Sequence, residues 1–109
     1  MATVVENLRV VPEFDSSESD EIVEILSARL DRRLSRFDDD QVELEISVKD
    51  RDTPSQRVVL ECWVAVSGDT RFVGTSTDAK LMAAVRETAE DVHKQLNRFL
   101  DKREDSRRG

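Results

Sequence analysis

The sequence predicts an α+β domain of two layers in the order β-α-β-β-β-α, with two helices packed on one face of a four-stranded sheet. Two observations predict the helices, because apolar residues recur with a period of 3.6 in residues 22–37 and again in residues 78–103. A third observation predicts the sheet, because apolar and polar residues alternate in residues 41–49 and 57–67. The 109 residues suffice for one core and therefore predict one domain.

The first strand and the first helix are predicted from the N-terminal third of the chain. Residues 3–14 predict a strand, which Pro12 restricts to the sheet edge or to a strand end. Ser17, with Asp20 three positions later, resembles a capping box at the start of the first helix. The aspartates at 38–40 suit a turn rather than a helix end. The apolar side of this helix is formed by Ile22, Leu26, Leu30, Leu34 and Phe37.

The central strands are predicted to turn one side toward the helices. The alternation in residues 41–49 predicts that one set of side chains faces the core: Val42, Leu44, Ile46 and Val48. Residues 57–67 direct Cys62 inward and Trp63 outward. Gly68 and Asp69 predict a tight hairpin turn, and residues 70–76 predict a short fourth strand.

The last helix is predicted to begin at Asp78, with Thr77 as its N-cap, and to end at about Arg103. Residues 104–109 have no apolar anchor. The sequence therefore predicts a single domain at 1–103 and a disordered tail at 104–109. The apolar face of this helix is formed by Leu81, Met82, Val85, Ala89, Val92, Leu96, Phe99 and Leu100.

The composition restricts the possible partners and the cellular compartment. The net charge of −7 means that the protein as a whole is repelled by polyanions, so nucleic-acid binding would require a local basic patch. The single cysteine, Cys62, excludes an internal disulfide and a cysteine-rich zinc site. Because no secretory leader and no bilayer-spanning apolar run is recognised, the expected location is the cytoplasm, without a membrane partner.

Residues suited to catalysis are sparse. The lone histidine, His93, lies among charged residues on the flank of the last helix. No glycine-rich phosphate loop follows a strand, and the aspartates at 38–40 lack the surrounding pattern of a calcium loop. Cys62 is expected to pack in the core as an unreactive thiol. The sequence therefore predicts a protein that is not an enzyme and that has no cofactor, metal site or small-molecule substrate.

Basic side chains gather on one stripe of each helix. The first stripe is formed by Arg29, Arg32, Arg33 and Arg36. The second is formed by Lys94, Arg98 and Lys102, with Lys80 near the same azimuth. Two interpretations remain open. Adjacent helices could merge the stripes into one phosphate-binding patch, or the cations could simply solvate the helix rims and pair with nearby carboxylates.

The order of elements and two local patterns resemble the ribosome hibernation promoting factor family, the relatives of ribosome-associated inhibitor A. The first pattern is RLDRRLSRF at 29–37, which closes the first helix. The second is D-x-x-L-M-A-A-V at 78–85, followed by HKQLNRFLDK at 93–102. The resemblance covers nearly the whole chain. Asp91 departs from it, because the family tends to have a lysine there.

The resemblance implies a translation inhibitor that occupies the decoding channel of the small ribosomal subunit, near the mRNA and the A- and P-site tRNA positions. Such a protein contacts the rRNA backbone and stabilises idle ribosomes. The 109 residues match the short form, which would pair ribosomes only with another factor, unless they are a fragment of a longer protein. The positions carried over from the family are Arg29, Arg32, Arg36, Lys94, Arg98 and Lys102, with Lys80 and Arg86 as weaker matches.

Two other functional classes remain open. A double-stranded RNA-binding domain shares the α-β-β-β-α core, but of the lysine cluster that it needs at the second helix only Lys80 is present. An acidic protein-interaction module would instead dock through Trp63 and its neighbours on the exposed face of the sheet. Neither alternative would bind ribosomes.

Overall fold

In the computed structural model, which describes residues 1–66 and 68–108 and no side chain of residues 104–108, the predicted fold class is confirmed. Two long helices pack on one face of a four-stranded sheet whose order is β1-β2-β3-β4. β1 is parallel to β2, and the other neighbours are antiparallel. The strands are β1 (Leu8–Val10), β2 (Val42–Lys49), β3 (Arg57–Ala65) and β4 (Asp69–Ser76); the helices are α1 (Val4–Asn7), α2 (Ser16–Leu34) and α3 (Leu81–Arg108), with a 3-10 turn at Asp39–Gln41.

The N-terminal segment departs from the prediction of a strand at 3–14. Its first part forms the short helix α1, and only the three residues of β1 pair with β2. Polar side chains explain the difference, because they bind backbone groups that a strand would use for pairing. The Thr3 hydroxyl accepts from the Glu6 N–H, and Asp31 Oδ1 accepts from the Val4 N–H at 2.8 Å. The contact with Asp31 comes from α2, so it is a tertiary contact.

The capping box of α2 lies two residues earlier than predicted. Asp15, not Ser17, is the N-cap: its carboxylate accepts from the Glu18 N–H at 2.8 Å, and Glu18 accepts from the Asp15 N–H at 3.0 Å. The Arg51 guanidinium binds the Glu18 carboxylate and lowers its pKa. Glu18 therefore joins the start of α2 to the loop between β2 and β3 as well as capping the helix.

The last helix starts later than predicted and runs further. Thr77 is not its N-cap, because the Asp78 carboxylate accepts from the Lys80 N–H and the Lys80 carbonyl accepts from the Ala84 N–H, both at 2.9 Å. The backbone of α3 continues to Arg108, beyond the predicted end near Arg103. The disorder predicted for residues 104–109 stays a prediction, since those side chains and Gly109 lie outside the described part of the chain.

The core lies between the helices and the inner face of the sheet. The alternation predicted for the strands is present, since the burial of β2 and β3 alternates residue by residue. β3 ends at Ala65, two residues before the predicted end at Ser67, which lies outside the described residues. The apolar faces of both helices are buried as predicted, with Leu81, Met82 and Phe99 only partly covered.

The outer edge of β4 is covered by a side chain of α3. Gln95 donates to the Val73 carbonyl at 2.7 Å and accepts from the Val73 N–H at 3.3 Å. These are the two backbone groups of Val73 that face away from β3. Because an unpaired strand edge is a template for association with another chain, Gln95 protects the middle of this edge.

Candidate nucleic-acid interface

The two long helices lie side by side and run in the same direction. Arg29 of α2 meets Glu90 of α3, and Phe37, just after the end of α2, meets Phe99 of α3 with ring centroids 6.4 Å apart. The residue numbers therefore increase together along the line of contact. A groove lies between the N-terminal halves of the two helices, and the exposed surface along their C-terminal halves differs from it in charge.

The groove near the helix N-termini is mainly acidic. It encloses about 600 Å³ and is lined by Glu21, Glu24 and Glu90, together with Arg29 and Arg86. Arg86, a weaker match in the family resemblance, lines this groove and not the C-terminal surface that carries most of the other cations. Phosphate groups would be repelled by this groove.

The surface near the helix C-termini carries most of the predicted cations. Arg32 and Arg36 are exposed on the α2 side, and Arg33 is half-buried. On α3, the basic ridge is exposed and faces solvent. Its members are Lys94, Arg98 and Lys102. Since the helices are parallel, the two predicted stripes lie at the same end of the molecule, as the merged-patch interpretation requires.

Two of the predicted positions differ from the others. Arg29 forms an ion pair with Glu90 at 2.5 Å, and this pair lowers the pKa of Glu90. The charge of Arg29 is therefore compensated by Glu90 within the protein. Lys80 precedes α3, roughly 20 Å along the helix axis from Lys94 at 1.5 Å per residue, so it does not join the patch.

His93 lies among these charges. Its pKa is lowered, first by burial and then by the Arg29 guanidinium. The Asn97 amide nitrogen lies 3.4 Å from His93 Nδ1, and within the described residues Asn97 Oδ1 is buried without a hydrogen-bond partner. His93 is thus held in its neutral form as a contact between the helices and adds no charge to the patch at neutral pH.

Two charged partners near the patch were missed by sequence reasoning. Glu90 neutralises Arg29 although 61 positions separate them, and no local pattern indicates that contact. Arg103 places its guanidinium 5.8 Å from the centroid of Phe99, in a cation–π contact. Its position one turn beyond Phe99 on a helix is the signal that could have identified it.

The remaining candidate groups have structural roles. Burial raises the pKa of the Cys62 thiol to about 12, so it packs as a small apolar group. In the 38–40 segment, Asp38 caps the 3-10 turn through Gln41, and Asp39 pairs with the N-terminal amine at 3.6 Å. Across residues 1–66 and 68–108, no group of three metal-ligating side chains converges. None of the helices described combines the length and apolar character needed for a membrane span.

The comparisons with known proteins assign no function, so the function has to be inferred from the geometry of this surface. No protein-family model matches the chain, and no curated protein matches its sequence.

Proposed function

We propose that this protein is a translation inhibitor that binds the small ribosomal subunit through the exposed surface at the C-terminal ends of α2 and α3. This cationic surface, which we call the basic patch, comprises Arg32, Arg33, Arg36, Lys94, Arg98 and Lys102. It contacts rRNA phosphates near the mRNA and the A- and P-site tRNA positions, so that a bound subunit is blocked and preserved. Occlusion needs no catalytic group or cofactor.

One observation carries the proposal: cations from two distant segments of the chain lie at the same end of two parallel helices. Guanidinium and ammonium groups exposed on a helical surface suit a phosphate backbone, which is recognised by charge and position. The acidic groove restricts where the RNA can lie. The resemblance of 29–37 and 93–102 to hibernation factors supports the same partner.

Reversing one charge on each helix tests the basic patch. We expect Arg32→Glu combined with Lys94→Glu to weaken binding to small ribosomal subunits at least about tenfold, because two attractions become repulsions. The salt dependence should also fall, by roughly one to two units in the slope of log K against log salt. Co-sedimentation with purified small subunits across a salt series measures both effects.

The matched control is Lys49→Glu combined with Arg57→Glu on the outer face of the sheet. These residues are exposed and lie opposite each other in β2 and β3. The control changes the net charge by the same amount as the patch variant, and two like charges face each other both before and after the substitutions. The control variant should bind several-fold more tightly than the patch variant. Equal loss in both would mean that only net charge matters, and binding unaffected by salt would point to an apolar protein interface instead.

The Arg29–Glu90 pair leads to a second prediction. We expect Glu90→Gln to tighten subunit binding a few-fold at low salt, because it releases Arg29 beside the basic patch and removes a carboxylate. The cost in stability should be at most about 1 kcal/mol, since both side chains are partly exposed. Glu43→Gln, on the opposite face, makes the same charge change and should leave affinity nearly constant. Equal tightening by the two variants would show that the pair does not restrain Arg29.

A further inference from the structure

The face of the sheet opposite the helices carries a trough centred on Trp63. Trp63 is half-buried near the end of β3, directly opposite Glu43 of β2. Two adjoining depressions share Asp40, Glu43 and Trp63. One extends to α1 and β1, and the other reaches Asp69 at the start of β4. We call this continuous surface the Trp63 trough.

The charge of the Trp63 trough is strongly negative. Its single basic side chain, Arg9, lies 3.5 Å from Glu45, and one of its carboxylates, Asp39, pairs with the N-terminal amine. In the part of the chain that the structure describes, Asp40, Glu43 and Asp69 have no ion-pair partner. The carboxylates that line the trough are Glu6, Asp39, Asp40, Glu43, Glu45 and Asp69.

The neighbouring part of the same face is already balanced. Glu45 and Glu61 lie opposite each other in β2 and β3, where like charges repel. Arg9 pairs with Glu45 from β1, and Arg71 pairs with Glu61 from β4 at 2.8 Å. The fold thus supplies arginines for the carboxylates in the middle of the sheet. Arg71 also lies opposite Trp63, but its guanidinium is bound to Glu61, so within the described residues no arginine pairs with Asp40, Glu43 or Asp69.

An aromatic ring beside unpaired carboxylates favours a cationic ligand. A guanidinium or ammonium group over an indole gains a cation–π contact, and adjacent carboxylates add charge complementarity. Phosphate is excluded by the same charges, so this face and the basic patch suit opposite partners. The depressions enclose about 480 and 250 Å³, which side chains of an extended segment can fill.

We propose that the Trp63 trough binds an extended, arginine- and lysine-rich segment of a partner protein. One cationic side chain lies against the indole of Trp63, and its neighbours pair with Asp40, Glu43 and Asp69. The segment lies on the side of the sheet away from the helices. Its binding therefore neither needs nor blocks the basic patch, and it does not depend on the proposed RNA contact.

Intrinsic fluorescence reports directly on this site, because Trp63 is the only tryptophan and the chain has no tyrosine. The probe is a short labelled peptide of alternating arginine and serine. We expect a saturable change in Trp63 emission that follows the anisotropy of the label and weakens with salt. A peptide of the same length with glutamate in place of arginine should change neither signal.

A pair of charge reversals localises the binding. Asp40→Lys combined with Glu43→Lys should weaken peptide binding about tenfold. Glu21→Lys combined with Glu24→Lys makes the same charge change on the exposed side of α2 and should retain several-fold tighter binding than the trough variant. Circular dichroism establishes that both variants are folded.

Three outcomes would overturn the proposal. The two double variants could lose affinity equally, which would mean that the peptide responds to net charge alone. The peptide could bind without any change in Trp63 emission, which would place it elsewhere. Emission could change with protein concentration in the absence of peptide while sedimentation shows dimers, which would make a second copy of the chain the occupant.

Discussion

Leu30→Ala is expected to lower the free energy of unfolding by about 2–5 kcal/mol. Leu30 is fully buried on the side of α2 that faces the sheet, and it follows Arg29 directly in the helix. Truncation removes apolar contacts and leaves a cavity, because the packed layer above the sheet relaxes only in part. Urea unfolding followed by Trp63 fluorescence measures the change.

Val5→Ala is the matched control for Leu30→Ala. Val5 is 68% exposed on α1, so its truncation should change stability by no more than about 0.5 kcal/mol. If both variants unfolded at the same urea concentration as the parent, Leu30 would not be a core residue. The assignment of the opposite side of α2 to the basic patch would then be wrong as well.

Gly74→Ala is expected to destabilise the protein by about 1–3 kcal/mol. Gly74 lies in β4 where α3 crosses the sheet, and a Cβ there would lie 2.3 Å from the Thr88 carbonyl oxygen and 3.1 Å from the Asp91 Cβ. The obstruction includes helix backbone, so α3 itself would have to move. Thermal unfolding of the variant measures the cost.

The sign of this effect is informative. At a position with ordinary backbone angles and free space, glycine to alanine stabilises by about 0.4–1 kcal/mol, because it restricts the unfolded chain. Gly74 has no positive φ, so only the contact with α3 can reverse the sign. A raised melting temperature would show that α3 does not lie against β4 at this residue. The position of the basic ridge of α3 would then need revision.

Segregation of charge reconciles an anionic protein with a proposed RNA partner. The net charge of −7 is spread over the outer face of the sheet, the 38–40 segment and the groove between the N-terminal halves of the helices. The cations of the basic patch lie at the C-terminal ends of the helices, where the 38–40 segment follows Arg36 closely along the chain. Within about a Debye length, roughly 8 Å at physiological salt, the local patch outweighs distant carboxylates. The uneven charge distribution should therefore orient the protein on the RNA, and binding should be sensitive to salt.

The fold was predicted well from the sequence because its signals are local. A helical period of 3.6 places Leu26 and Leu30 on one side of α2, and alternation places Leu44 and Cys62 inward, whichever partners cover them. Element ends were predicted less well. α3 begins only at Leu81, after a turn in which the Asp78 carboxylate accepts from the Lys80 N–H, although Thr77 is an acceptable N-cap by residue type.

The candidate site was predicted only as two separate stripes. Spacing along a helix determines that Arg32 and Arg36 share a stripe, and likewise Lys94 and Arg98. Spacing does not determine which stripe faces the neighbouring helix, or which carboxylate of that helix pairs with a cation of the stripe. The structure places the C-terminal parts of both stripes at the same end of two parallel helices and pairs Arg29 with Glu90.

By itself, then, the sequence determined the class of fold, the buried side of each element and the presence of two cationic stripes, because each of these follows from periodicity within one segment. Only the tertiary structure decided that residues 4–7 form a helix, that the helices run parallel with their basic ends together, and that the Trp63 trough keeps unpaired carboxylates. The physical reason is that these features depend on distances between groups far apart in the chain. Hydrogen bonds and ion pairs act over a few ångströms in space, however many residues lie between their partners.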